Sequence, residues 1–191
     1  VDVKQSTTPD VEHLLVPHRH RELSHLVMRI CTAINPYLAL IFANTKTKVD
    51  ELYVSLAHAG YRGERLHGGL TARERKQTMK RIERLECEYI VATDLASRGI
   101  DIQGISHVIN AEIPEELDFF IHRAGRTGRA GVSGQAITIY REEDERKINA
   151  LEKRGVSFKH VDIKKGEWSE ITPRKRRKPP RKAKPDIMLP K

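Results

Sequence analysis

The stretch HRAGRTGRAG, residues 122–131, sets Arg123, Arg126 and Arg129 three positions apart and follows each, two residues on, with a glycine: Gly125, Gly128 and Gly131. A guanidinium is permanently charged and planar, and it forks paired N–H donors toward oxygens. Three of them at fixed intervals suit an anion with several oxygens. An ordinary surface helix would not carry these glycines, since each costs about 1 kcal/mol relative to alanine in a helix interior. A solvated basic tail would not need the regular spacing. The stretch reads as a pliant frame that presents cations to something anionic.

Such a frame needs elements to hold it. Regular patterning begins at Arg19. Residues 19–34 place Leu23, Leu26, Val27, Ile30, Cys31 and Ile34 on one helical stripe, and YLALIFA (37–43) reads as a buried strand. Thr45 is placed to cap a helix with Val49, Leu52, Tyr53 and Leu56 inward, stopped by Gly60. A short strand near 61–66 leads into the turn His67-Gly68-Gly69. Thr71 followed by Glu74 is a capping box, opening a helix expected to bury Met79, Ile82 and Leu85. Then come a strand at 88–93, a polar turn at 94–101, a strand at 107–112, a short helix at 114–125 and a strand at 135–140. A helix at 142–155, with acids first and bases last, and a strand at 158–163 complete the pattern. This alternation predicts an α/β fold: a mostly parallel sheet flanked by helices on both faces. Ligands then meet the loops beyond the carboxyl ends of the strands.

Composition bounds the rest. The chain has 191 residues, 38% hydrophobic and 32% charged, with a net charge of +9. Residues 173–191 hold nine Lys/Arg and one acid, while residues 1–172 hold 26 Lys/Arg and 25 acids. The folded part is therefore nearly neutral. The segment 173–185, with four prolines and no apolar periodicity, is expected to be a disordered basic arm. Such an arm serves either as a solubility tail or as a nonspecific polyanion binder that releases counterions. The two cysteines, Cys31 and Cys87, form no CxxC pair, and a reducing, cytoplasmic setting is the default. The run 37–43 is far shorter than the roughly 18 residues of a membrane span, so no membrane partner is expected. The expected organisation is a linker or first edge strand at 1–18, one domain at 19–165, and a basic tail at 166–191.

LIFANTK (40–46), LHGGLTARER (66–75), IVATDLASRGIDI (90–102), VINAEIP (108–114) and FIHRAGRTGRAG (120–131) together resemble, in order, the second-domain motifs of DEAD-box RNA helicases. The resemblance covers residues 19–140 and implies a RecA-like sheet. The first-domain motifs are absent: there is no GxxxxGK[ST] loop, no DEAD tetrapeptide and no SAT stretch. The resemblance therefore implies the C-terminal half of an ATP-dependent RNA helicase, inactive as an ATPase alone. ATP would sit between this domain and an N-terminal RecA-like domain, and that domain would hold Mg²⁺. RNA and ribonucleoprotein partners follow from the same resemblance, and the short basic arm without RGG repeats suggests a bacterial source.

Residue by residue, the resemblance makes Arg126 and Arg129 the fingers that reach the γ-phosphate, and makes His122 and Arg123 braces of that motif. Asp101 matches the acceptor for the nucleotide ribose, and Asp94 a link from its loop to the arginine motif and to the other domain. Thr93, Arg98 and Gly99 match contacts to the RNA backbone, which carry no base sequence. His67-Gly68 and Arg75 would form a second phosphate-facing edge beside the helix N-terminus near Thr71. Asn44 stands where the family positions RNA. Simpler roles compete: Thr93, Asp94 and Asn44 are also helix-cap residues, and Asp101 is also a plain surface acid. The usual QxxR pattern has Ala72 at its glutamine position, so one polar contact is missing. Aromatics are only 5%, which argues against a stacking platform and for backbone tracking. Trp168 would either stack on a base or pack the end of the fold. A DNA helicase or translocase on the same fold and a non-enzymatic RNA-binding module are the alternatives. His122 at the head of HRxGRxGR favours the DEAD-box pattern over the first, and ATP-facing arginines argue against the second.

Overall fold

The computed structural model describes residues 10–129 and 131–173. Its elements run β1 (Val11–Pro17), α1 (Leu23–Ile34), β2 (Ala39–Phe42), α2 (Lys46–His58), β3 (Gly63–Leu66), α3 (Ala72–Glu83), β4 (Tyr89–Ala92), α4 (Asp94–Ser97), β5 (His107–Asn110), α5 (Leu117–Ala124) and β6 (Gly134–Tyr140). A 3₁₀ turn at Glu142–Asp144, α6 (Glu145–Lys153), β7 (Phe158–Lys164) and β8 (Glu167–Glu170) follow. They build one eight-stranded sheet in the order β3-β4-β2-β5-β6-β1-β7-β8. Every pairing is parallel except the β7–β8 hairpin.

Strands β2 (ALIF) and β4 (YIVA) are buried along their whole length because both faces are covered. Ala39, Ile41, Tyr89 and Val91 point to the face packed by Leu26, Val27 and Ile30 of α1 and by Val49, Leu52 and Leu56 of α2. Leu40, Phe42, Ile90 and Ala92 point to the other face, against Ile82 of α3, Ala96 of α4 and Ala124 of α5. Leu15 meets Ile113 and Ile148 of α6 in a smaller cluster on its own. Caps fix the helix starts: Thr45 accepts the Lys48 amide, and the expected box closes as Thr71 and Glu74 accept each other's amides.

Four details differ from the sequence expectation. Leu85 is half exposed, because the chain leaves α3 there with a φ of 56° and turns the side chain outward. The polar turn after β4 contains a helical turn, α4, capped by Thr93. Residues 11–17 form an internal strand, since β7 covers the edge that β6 leaves. Residues 167–170, assigned from sequence to the tail, are β8, and Trp168 packs against the core there. The basic arm from 174 onward and the first nine residues lie outside the described residues.

Candidate functional site

Because β2, β3, β4 and β5 are parallel neighbours, their carboxyl ends share one edge. Loops from this edge carry Asn44, Gly68, Thr93 and Glu112, and α5 brings the arginine motif to them.

Arg123 is the centre of that edge. Its side chain is 1% exposed. Nε and Nη2 grip the two Asp94 oxygens at 2.6 Å each. Nη2 also donates to Asn44 Oδ1 at 2.9 Å, and Nη1 to the Glu112 carbonyl at 2.7 Å. The Phe42 ring lies beneath the guanidinium, 4.9 Å from its carbon. One cation thus ties together the loops after β2, β4 and β5. Burying a charge is tolerated only where donors and acceptors are matched in this way. Arg123 and Asp94, expected as a brace and as a link to the arginine motif, are brought into direct contact here. Asn44 is not the cap: Oδ1 takes Arg123 and Nδ2 donates to the Ile113 carbonyl at 2.9 Å, while Thr45 does the capping. His122, by contrast, is exposed, and its ring stands edge-on to Phe119 with centroids 6.4 Å apart.

Three and six residues on, the environment opens. Arg126 is partly buried, and it donates to the Ile100 carbonyl at 2.6 Å and the Ser97 carbonyl at 2.9 Å. Burial, and after it the charge of Arg129, push the Arg126 pKa down. Arg129 is 51% exposed and meets Asp101, itself 66% exposed, at 3.2 Å. Gln103 also donates to Asp101, at 2.5 Å. The backbone between these arginines is fixed from below. Gly128 has a φ of 69°, which favours glycine. Thr127 is buried and donates to the Ile105 and Ser106 carbonyls. Gly134, at the start of β6, has no room for a side chain: a Cβ there would lie 2.4 Å from the Gly128 nitrogen. Gly125 sits in ordinary helical backbone, so its φ does not explain the glycine.

Along the β3–β4 side, Arg98 and Gly99 are exposed, Gly99 with a φ of 74°. The Arg98 guanidinium stands 5.5 Å from the Phe119 ring centre. Thr93 caps α4 through its hydroxyl, so the capping role is real, and Arg75 reaches across to the Ala96 carbonyl at 3.1 Å. In the turn after β3, Asp50 accepts His67 Nε2 at 2.9 Å and Arg65 Nη1 at 2.5 Å. Burial pulls the Asp50 carboxyl upward, but the hydrogen bonds from His67 and Arg65, with the Arg65 charge, outweigh it and hold the group below its ordinary value.

Sequence reasoning assigned no role to Glu112, Asp50, Thr127 or Gly134. Glu112 lies inside the VINAEIP stretch, and Gly134 is separated from its neighbour Gly128 by the whole entry into β6. Residue type gives no signal for such contacts, since partners are supplied by the sheet order. A cavity of about 630 Å³ lies elsewhere, between residues 17–20, the start of α6 and residues 171–173, and includes none of the expected site residues. Among the described residues no helix is long and apolar enough to cross a membrane, and no group of three His, Cys, Asp or Glu is placed to hold a metal.

Residues 21–131 match the family described as the helicase conserved C-terminal domain. The chain is 52% identical over 178 residues to the DEAD-box ATP-dependent RNA helicase CshB of Bacillus subtilis, covering 93% of this chain and 41% of that protein. CshB of Listeria monocytogenes is 49% identical over 177 residues, with the same two coverages. The chain thus spans about two-fifths of the length of these relatives. Among solved structures, the C-terminal domain of the DEAD-box protein Dbp5 superposes with a TM-score of 0.72 at 25% identity, over 81% of this chain and 91% of that one. The DEAD-box protein SrmB of E. coli gives 0.66 at 29% identity, over 78% and 86%. The chain belongs to the helicase conserved C-terminal domain family, and its fold is that of the RecA-like C-terminal domains of DEAD-box proteins.

Proposed function

We propose that this domain closes against an N-terminal RecA-like domain around ATP and single-stranded RNA, as part of an ATP-dependent RNA helicase of the cytoplasm. The observation that carries the reading is the pairing of exposed Arg129 with exposed Asp101 beside Arg126, above a centre locked by Arg123. A nucleoside triphosphate needs cations for its phosphate oxygens and an acceptor for its ribose hydroxyls. Arg126, Arg129 and Asp101 are those groups, so the residues fit the ligand. Arg126 uses one donor on each terminal nitrogen for the Ser97 and Ile100 carbonyls, which fixes its plane and leaves further N–H groups for phosphate. The bound nucleotide supplies the phosphoryl group for transfer. Charge accumulating on its equatorial oxygens is met by the two guanidiniums once the domains close. Mg²⁺ and the attacking water are assigned to the N-terminal domain.

RNA is read through its backbone. Exposed Arg98 and the Gly99 amide stand on one loop, and the Gly68 turn on the next, with Thr93 and Arg75 holding that loop in place. Gly68 is exposed, its φ is not in the left-handed region, and a Cβ there would meet nothing within 4 Å. Nothing inside the fold requires that glycine. A phosphate approaching the bare backbone does. Ordinary packing of RNA along these loops ties RNA binding to closure, since Asp94 and Arg98 stand on the same short segment and Asp94 is gripped by Arg123.

The test is RNA-stimulated ATPase activity in the full-length protein. Arg126→Ala and Arg129→Ala are expected each to lower it by about 10³-fold or more, the scale of an arginine finger. Undiminished activity in both variants would overturn the assignment.

A further inference from the structure

The turn that presents Gly68 is held by a relay that begins on another element. His67 is 6% exposed, and its ring is used at both nitrogens. Nδ1 accepts the Gly69 amide at 3.0 Å. A nitrogen that accepts carries no proton, so the ring proton of the neutral imidazole is on Nε2, where it faces Asp50 at 2.9 Å. Asp50 stands on α2, and it also accepts Arg65 from β3 at 2.5 Å. Arg65 in turn lies 5.1 Å above the Tyr53 ring, one turn further along α2. The ring is pressed against the turn it holds: a Cβ on Gly69 would lie 2.9 Å from His67 Cε1. The Leu70 amide closes the same turn onto the His67 carbonyl at 3.2 Å. The two glycines therefore differ. Gly69 is demanded by the His67 ring from within, and Gly68 is left open outward.

We propose that Asp50 is a positioning residue for RNA: by accepting Nε2–H it fixes the His67 tautomer, and the fixed Nδ1 acceptor holds the Gly69 amide inward so that the open Gly68 backbone is presented to a backbone phosphate. The proposal rests on the reading of this turn as an RNA contact. Asp50 touches no RNA itself. Its carboxylate removes the freedom of the ring to carry its proton on Nδ1, the state in which the Gly69 amide loses its acceptor and the turn loses one of its two ties. The net value of one such hydrogen bond corresponds to roughly two- to ten-fold in binding.

The experiment uses the full-length protein and a single-stranded oligouridylate as the RNA. The half-saturating RNA concentration and the kcat of the stimulated ATPase are measured for Asp50→Ala, Asp50→Asn and Gly68→Val, and the His67 ring nitrogens are followed in ¹⁵N-histidine spectra. Asp50→Ala is expected to raise the half-saturating RNA concentration about five-fold, with kcat within about two-fold. It is also expected to shift the Nδ1 resonance away from that of an unprotonated acceptor. Asp50→Asn keeps an oxygen for Nε2–H and is expected to recover most of the RNA affinity and the native Nδ1 resonance. Gly68→Val fills open space in the fold and is expected to raise the half-saturating concentration at least as much as Asp50→Ala. If Gly68→Val has no effect, the RNA reading of the turn falls, and the proposal with it. If Gly68→Val weakens RNA binding while Asp50→Ala does not, or Asp50→Asn is as defective as Asp50→Ala, the reading of the turn stands and the role of Asp50 is overturned.

Discussion

Arg123 and Arg129 belong to one ten-residue motif and to one residue type, yet the fold uses them in opposite ways. Arg123 is sealed at 1% exposure, with Asp94, Asn44 and the Glu112 carbonyl around it. Arg129 is 51% exposed, and its acid partner Asp101 is more exposed still. A sealed and saturated guanidinium is structure, because its charge is fully committed within the chain. An exposed one, whose pair lies in water, contributes little to stability and keeps its charge available. Arg126 stands between them, held by two carbonyls and only partly buried. The motif therefore grades from anchor to tool over six residues.

The sharpest way to break this contrast is stability. Arg123→Ala strands Asp94 and Asn44 without their common donor and is expected to lower the unfolding free energy by about 3–5 kcal/mol. Arg129→Ala is expected to change it by less than about 0.5 kcal/mol. Denaturant melts of the two variants side by side measure the difference, and equal losses would erase the distinction. A smaller loss is expected from Gly134→Ala, where a methyl would press on Gly128 and Thr127 beneath the motif. Overpacking of this kind costs about 1–3 kcal/mol, read in the same melts. It should also lower RNA-stimulated ATPase, since it displaces the turn that carries Arg129. The smallest effect concerns pH. Asp50 sits below the ordinary aspartate value of about 3.9, so its share of stability is complete above that value and is lost as pH falls through its lowered one. Asp50→Asn removes that share. The stability gap between native and variant protein should therefore narrow as pH falls below about 4 in acid unfolding, and a constant gap would rule it out.

Much of this was legible in the chain. The alternation of apolar strands with capped helices gave a parallel sheet, because helix periodicity, the Thr45 and Thr71 caps and the short valine- and isoleucine-rich runs all agree. The motif arginines were legible by spacing. What was not legible depends on who neighbours whom. A buried arginine runs against the habit of its residue type, and its acceptors come from three loops that only the sheet order brings together. Asp50 sits mid-helix, where an acid normally faces water. Leu85 falls on the apolar stripe of α3 but lies one residue past the turn that ends it, so its pattern and its backbone disagree. The β8 strand follows a two-residue turn at Lys165-Gly166 and carries charges on both sides of Trp168, which hides its alternation.

The place of β1 bears on how the domain comes to be folded. This strand is sandwiched between β6 and β7, and its side chains reach distant partners on both: Glu12 meets Gln135 across 123 positions of chain and Lys159 further on still. During synthesis, β1 emerges before either of its ladder partners exists. Leu14, Leu15 and Val16, buried in the finished sheet, must stay uncommitted while most of the domain is made. Contacts of such long sequence separation are slow to form. The carboxyl-terminal hairpin of β7 and β8 can join the sheet only through β1. The first described strand to leave the ribosome is thus among the last to be placed, and its arrival joins both halves of the sheet.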